Sequence, residues 1–137
     1  MPFMSDIVTI QSLIEQAIAS SQHAYAPYSG YYVGAALLAT NGVVFTGCNV
    51  ENATYPASIC AERTALVKAV SEGVREFSTI AVVTRAGGSP CGICRQMLYE
   101  FSPNLRVIIA DMTGTIHHDM SLIDLLPLGF DGGDLRK

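Results

Sequence analysis

Two apolar runs flank Asn41-Gly42, Val33 to Ala39 before it and Val43-Val44-Phe45 after it. Short apolar segments joined by Asn-Gly are a strong hairpin signal, because both residues tolerate the positive φ of a tight turn. Behind the hairpin the pattern becomes helix and strand in alternation. From Cys60 onward, Ala61, Ala65, Leu66, Ala69 and Val70 share one helical face, and Gly73 supplies the stop. Thr79 to Thr84 reads as a buried strand, residues 92–101 as a second helix, and Arg106 to Ala110 as another strand. Ahead of the hairpin, Ile10, Leu13, Ile14, Ala17 and Ile18 predict a helix over residues 10–22 with Thr9 as N-cap. Ala26-Pro27-Tyr28-Ser29-Gly30 breaks that helix. Residues 49–59 and 85–90 read as irregular. Thr113-Gly114 is a turn with a short strand behind it, and Ser121 to Leu126 forms a short helix closed before Pro127. A hairpin followed by strand-helix-strand units predicts an α/β fold, a mixed sheet with helices on both faces.

The chain has 137 residues, read as one domain over 1–137. Half of it is hydrophobic, which excludes wholesale disorder. It carries 8 basic against 12 acidic residues and no basic run. A duplex-binding protein needs phosphate neutralisation, so nucleic acid is not the expected partner, although a small nucleotide-type ligand is compatible. No apolar stretch reaches the ~18–20 residues of a membrane span. Met1-Pro-Phe-Met-Ser-Asp6 lacks a basic segment followed by an apolar one, so the expected compartment is the reducing cytoplasm.

The cysteines are Cys48, Cys60, Cys91 and Cys94. In a reducing compartment they point to metal or catalysis rather than to two disulfides. Cys91 and Cys94 lie in Pro90-Cys91-Gly92-Ile93-Cys94-Arg95. Alone, that spacing fits a redox pair or half of a structural zinc site. Cys60 favours metal: it precedes its own helix, 31 positions upstream. Two helix starts aimed at one point stabilise thiolates, because helix N-termini favour anions. Three thiolates suit zinc and leave a fourth position for water, whose lowered pKa makes it a hydroxide source. Cys48 reads as a small buried residue at a strand end, or as the fourth ligand of a closed site. Arg63, one helical turn from Cys60, and Arg95, next to Cys94, are candidate hydrogen-bond donors to the sulfurs. Arg63 as a solvated helix residue is the plainer alternative. Glu62, in the first turn of its helix, can reach over a metal without ligating it and carry a proton. Without the cysteines it would be an ordinary first-turn acid. His23, His117 and His118 do not join the cluster. A ligand-x-Glu element followed by Pro-Cys-x-x-Cys is the pattern of zinc deaminases.

The chain closely resembles the short, homotetrameric cytidine deaminases of pyrimidine salvage, from about Ser12 to Leu135. The resemblance is carried by Tyr25-Ala-Pro-Tyr-Ser29, Val33-Gly-Ala-Ala-Leu37, Gly47-Cys-Asn-Val-Glu-Asn-Ala53, Cys60-Ala-Glu-Arg-Thr-Ala65, Pro90-Cys-Gly-Ile-Cys-Arg-Gln96 and Leu125-Leu-Pro127. It implies a three-layer α/β/α sandwich around a five-stranded mixed sheet. It implies one zinc per chain on Cys60, Cys91 and Cys94, with zinc-bound hydroxide attacking C4 of the pyrimidine and Glu62 as the proton shuttle. Asn49 and Glu51 match residues that bind the ribose 3′-hydroxyl. Tyr31 stands where relatives commonly carry a Phe that packs on the pyrimidine. Ala53, Tyr55 and Ala61 match substrate-binding positions, some acting across a subunit boundary. Phe130 resembles a C-terminal aromatic that reaches a neighbouring site. The implied substrates are cytidine and 2′-deoxycytidine, and the implied assembly is a homotetramer with active sites at its interfaces. Three competing readings are a deaminase of another aminopyrimidine such as a blasticidin S-type antibiotic, a polynucleotide-editing deaminase, and a non-catalytic zinc module. The Asn49–Glu51 pair, the acidic charge and Glu62 weigh against them in turn.

Overall fold

The computed structural model describes residues 8–136. Helix α1 spans Ile10–Ser21, and Thr9 caps it by accepting from Ser12 N at 3.0 Å. Strands β1 (Gly34–Ala39) and β2 (Val44–Cys48) form the expected hairpin around Asn41-Gly42, with Gly42 at φ 89°. A single 3-10 turn, Tyr55–Ala57, interrupts the loop that leads to α2 (Ala61–Ser71). Next come β3 (Phe77–Thr84), α3 (Gly92–Phe101), β4 (Arg106–Asp111), β5 (Ile116–Ser121), and two one-turn helices, α4 (Leu122–Leu125) and α5 (Gly132–Leu135).

The sheet order is β2-β1-β3-β4-β5. Only β3 and β4 run parallel, so the sheet is mixed, and α3 is the crossover between that pair. Leu13, Ile14 and Ala17 of α1 pack on Ala36, Ala81, Val83, Ile108 and Ala110 on one face. Ala61, Ala65, Leu66 and Ala69 of α2, with Leu98 of α3, pack on Ala35, Leu37, Ile80, Val82, Val107 and Ile109 on the other. The alternation of these strand residues between two cores is the period of two that puts successive side chains on opposite faces. The result is the α/β/α sandwich.

Two glycines set how closely the helices approach. A Cβ on Gly34 would lie 1.8 Å from Ala17 O, and one on Gly47 would lie 2.5 Å from both Ala61 O and Ala65 N. The first turn of α2 therefore sits directly on β2. Three features differ from the sequence reading. Strand β3 begins at Phe77, two residues early, because exposed Ser78 hides the start of the apolar run. The strand after Thr113-Gly114 has six residues but is mostly exposed, so it carries little apolar signal. Helix α5 was not expected, because it opens on two glycines; a reciprocal capping box between Asp131 and Asp134 holds it.

Register places the site. Gly34 pairs with Cys48 on one side and Val83 on the other. The segment before β1, the segment after β2 and the loop after β3 thus meet at one end of the sheet. In open α/β sheets, the carboxyl end of a parallel strand is where ligands bind.

Candidate active site

Cys60 is the N-cap of α2 and Cys91 the N-cap of α3. Neither side chain is spent on capping its own helix, so both sulfurs are available. Cys94 lies one turn into α3 and is fully buried. The Cys60–Cys91 sulfur separation is 3.8 Å, that of Cys91–Cys94 is 3.5 Å, and all three lie within 4.8 Å of one another. Sulfurs bound tetrahedrally at zinc's usual ~2.3 Å stand about 3.8 Å apart, so the cluster fits the ion. Among the described residues, Cys48 is not part of it.

A hydrogen bond with Cys94 and the neighbouring Arg63 guanidinium pull the Cys60 thiol down to about 5. The same Cys60–Cys94 bond, with burial, pushes Cys94 up, so Cys60 ionises before Cys94. Arg63 Nη2 lies 3.5 Å from Cys60 Sγ and donates to Ser58 O at 3.4 Å. The solvated-helix reading of Arg63 therefore fails. Arg95 behaves differently from expectation. Its guanidinium takes no sulfur; it donates to Pro90 O, Ser89 Oγ and Leu125 O instead. The reason is geometric: a helical side chain leans toward the N-terminus of its helix, which here leads back to the loop.

Cys60, Cys91 and Arg63 face a cavity of about 480 Å³, with Cys94 buried behind them. Its walls include Tyr31, Asn49, Glu51, Tyr55, Cys60, Glu62, Arg63 and Cys91. Glu62 is only 3% exposed, and burial, with the Cys60 charge adding to it, raises its carboxyl to about 7. Asn49 is 9% exposed and fastens the wall opposite. Its Oδ1 accepts from Val33 N at 2.9 Å and its Nδ2 donates to Tyr31 O at 2.7 Å. One amide proton and one lone pair remain for a ligand. Glu51 accepts from Tyr28 N at 3.0 Å, from Ser29 N at 3.1 Å and from the Ser29 hydroxyl. The Ser29 hydroxyl bond foremost lowers its carboxyl, which stays ionised. Tyr31 lies under Arg85, whose guanidinium carbon is 5.2 Å from the ring centroid. Tyr55 is 73% exposed and stands edge-on to Tyr28 at 6.2 Å.

Three expected substrate-binding positions do not line this cavity. Ala61, the first residue of α2, is wholly buried, Ala53 is exposed on its loop, and Phe130 is 54% exposed with its carbonyl held by Gln96. Sequence reading missed Ser58, Thr84, Gly88 and Ser89 as cavity residues. It also missed Ser29, which donates to Glu51 while accepting from Tyr31 N at 3.0 Å. The local signals available were the adjacency of Ser89 to Pro90-Cys91 and the place of Ser29 in the Tyr25–Ser29 stretch.

A three-cysteine cluster with two members, Cys60 and Cys91, on a cavity that buried Glu62 also lines fits the hydrolytic kind of zinc centre rather than the closed structural kind. Comparison with known proteins agrees. Residues 8–110 match the family model described as the cytidine and deoxycytidylate deaminase zinc-binding region. The cytidine deaminase of Sporosarcina psychrophila is 44% identical over 129 residues, covering 92% of this chain and 94% of that protein. The crystal structure of a cytidine deaminase from Burkholderia pseudomallei superposes with a TM-score of 0.86 at 49% identity, covering 90% of this chain and all of that one. A blasticidin-S deaminase of Bacillus cereus is more distant, 29% identical over 110 residues, or 73% of this chain and 77% of that protein. The chain belongs to the cytidine deaminase family, and its Cys60–Cys91–Cys94 cluster lies within the matched zinc-binding region and could hold the ion.

Proposed function

We propose that this chain hydrolyses cytidine and 2′-deoxycytidine to uridine and 2′-deoxyuridine with release of ammonia. The observation that carries this reading is the buried Glu62 in one cavity wall with Cys60 and Cys91, which cluster with Cys94. Those three cysteines would hold one zinc, which when bound supplies the Lewis acidity that makes water a nucleophile near neutral pH. Glu62 takes a proton from the water that attacks C4 and delivers it to N3; it then takes the proton of the new C4 hydroxyl and hands it to the amino group, which leaves as ammonia as the C4 carbonyl forms. A carboxyl raised to about 7 suits a group that must both accept and donate near neutrality. Arg63 donates to Cys60 and offsets part of the charge that three thiolates bring.

Asn49 and Glu51 take the ribose hydroxyl, and Tyr31 offers the base an aromatic face. The Glu51 carboxylate and a net charge of −4 disfavour a phosphate in the same place, so the substrate is a nucleoside rather than a polynucleotide. Tyr55 already lines the cavity of one chain, and Ala53 and Phe130 complete the site in a homotetramer, with Phe130 reaching a neighbouring centre. Exposed Tyr25, Tyr28, Tyr55, Ile93 and Phe130 supply apolar area for such interfaces. Residues 1–137 act as one domain. No described helix is long and apolar enough to cross a membrane. Pyrimidine salvage in the cytoplasm is the setting that fits this chemistry.

The test is protein purified without added metal, assayed for zinc per chain and for the ultraviolet change of cytidine to uridine. Near one zinc with rapid conversion supports the reading. One zinc with conversion only of blasticidin S or another aminopyrimidine overturns the substrate. A salt-dependent oligonucleotide shift points to polynucleotide editing.

A further inference from the structure

Arg95 follows a zinc ligand yet points away from the metal cluster. A cation near a helix start is disfavoured by the helix dipole, so its partners must hold it there. Nε donates to Pro90 O at 2.8 Å, and Nη2 donates to Ser89 Oγ at 3.0 Å. Nη1 donates at 2.7 Å to Leu125 O, 30 positions later and at the end of α4. That carbonyl is one of the last of its helix, which the helix itself leaves without a partner. One planar guanidinium fork thus spans two segments, the two residues directly before Cys91 and the close of α4.

The rest of the same helix face fastens the C-terminal segment beyond α4. Gln96 Nε2 donates to Phe130 O at 2.7 Å. Tyr99 lies flat against Gly129, where a Cβ would meet ring carbons at 2.7–2.8 Å. Between these points Leu128 is held at φ 57° and is fully exposed. Of these three side chains, Arg95 alone also grips the loop that carries a ligand.

We propose that Arg95 is a positioning residue for the metal site. It holds Ser89-Pro90 so that Cys91 stays beside Cys60 and Cys94, and it ties that loop to the C-terminal segment. The inference rests on the zinc reading above and deepens it: zinc retention and order of the tail are linked through one side chain.

The test uses the zinc-loaded full chain. Zinc release into a chromophoric chelator is timed, and amide hydrogen exchange is followed over residues 88–91 and 125–130, with α1 as reference. Arg95→Lys keeps the charge and loses the fork. Its zinc release is expected to accelerate about tenfold or more, in the range found when partners of metal ligands are removed. Exchange should quicken in both segments and stay unchanged in α1. Gln96→Ala should loosen 125–130 alone and leave zinc release within about twofold of the parent. Release from Arg95→Lys at the parent rate, or exchange that rises equally in α1, overturns the proposal. Should Arg95→Lys fail to fold, Ser89→Ala is read in its place, with severalfold faster release expected and an unchanged rate overturning the proposal. Cytidine turnover of the parent is measured separately. A parent that holds zinc but spares cytidine sinks the substrate assignment and leaves the role of Arg95 to be judged on zinc release.

Discussion

Glu62 stands under two opposing influences. The first turn of α2 favours a negative charge, whereas burial at 3% exposure opposes it. Burial wins, and the carboxyl rises to about 7. An exposed first-turn acid would ionise far below neutrality and make a poor proton donor. The clustered cysteines also differ from one another. Cys60 is ionised early with help from Cys94 and Arg63, while buried Cys94 keeps its proton longer without metal. Replacing Cys91 with serine is expected to reduce zinc from near one per chain to a small fraction after dialysis, as metal analysis would show. Glu51 does two jobs, bracing the Tyr28–Ser29 turn and facing the cavity. Glu51→Gln keeps the shape and loses the charge-assisted acceptor. Its KM for cytidine should rise roughly tenfold with a smaller change in kcat, because hydrogen bonds to charged groups are the stronger ones. A purely structural Glu51 would instead lower thermal stability and leave KM alone.

At the scale of elements, Gly47 is where the sheet and α2 touch. Its missing Cβ leaves room for Ala61 O and Ala65 N, and the turn so seated carries Cys60 and Glu62. Gly47→Ala is expected to cost about 1–3 kcal/mol, as overpacking does, and to loosen zinc along with the fold. Calorimetry and metal analysis of the variant check both. The turn between β4 and β5 gathers on Asp111, which accepts from Thr113 Oγ1 at 2.5 Å, from Thr113 N at 2.9 Å and from Thr115 N at 3.2 Å, and pairs with His117 at 2.8 Å. These bonds, that of the Thr113 hydroxyl foremost, hold its carboxyl well below the usual range. A depressed carboxyl stabilises the fold above its unfolded value of 3.8, and that contribution fades as pH falls below it. Amide exchange at residues 113–117 should therefore quicken below about pH 4 relative to the intrinsic rate, and Asp111→Asn should abolish that dependence.

At the scale of the molecule, the exposed aromatics around the cavity mouth and the outward Phe130 suit a site completed by other copies of the chain. Sedimentation should give four chains, and Phe130→Ala should weaken cytidine binding without removing zinc. A monomer with full activity would contradict this. Much of this architecture was legible in the sequence because its signals are local. Asn-Gly marks the hairpin, apolar periodicity marks α1 to α3, and Pro-Cys-x-x-Cys marks a ligand pair at a helix start. The partners of Arg95 were not legible, nor was the grip of Asn49 on Val33 and Tyr31, because each joins segments that only tertiary packing brings together. Ala53 and Phe130 find no place in the cavity of a single chain. The central claim is that Glu62 moves protons beside zinc and does not bind it. Glu62→Gln tests this directly, with zinc per chain and cytidine turnover measured on one preparation. The account predicts near one zinc retained and turnover reduced by about 10²-fold or more. Loss of zinc would make Glu62 a ligand, and turnover close to that of the parent would remove it from the mechanism.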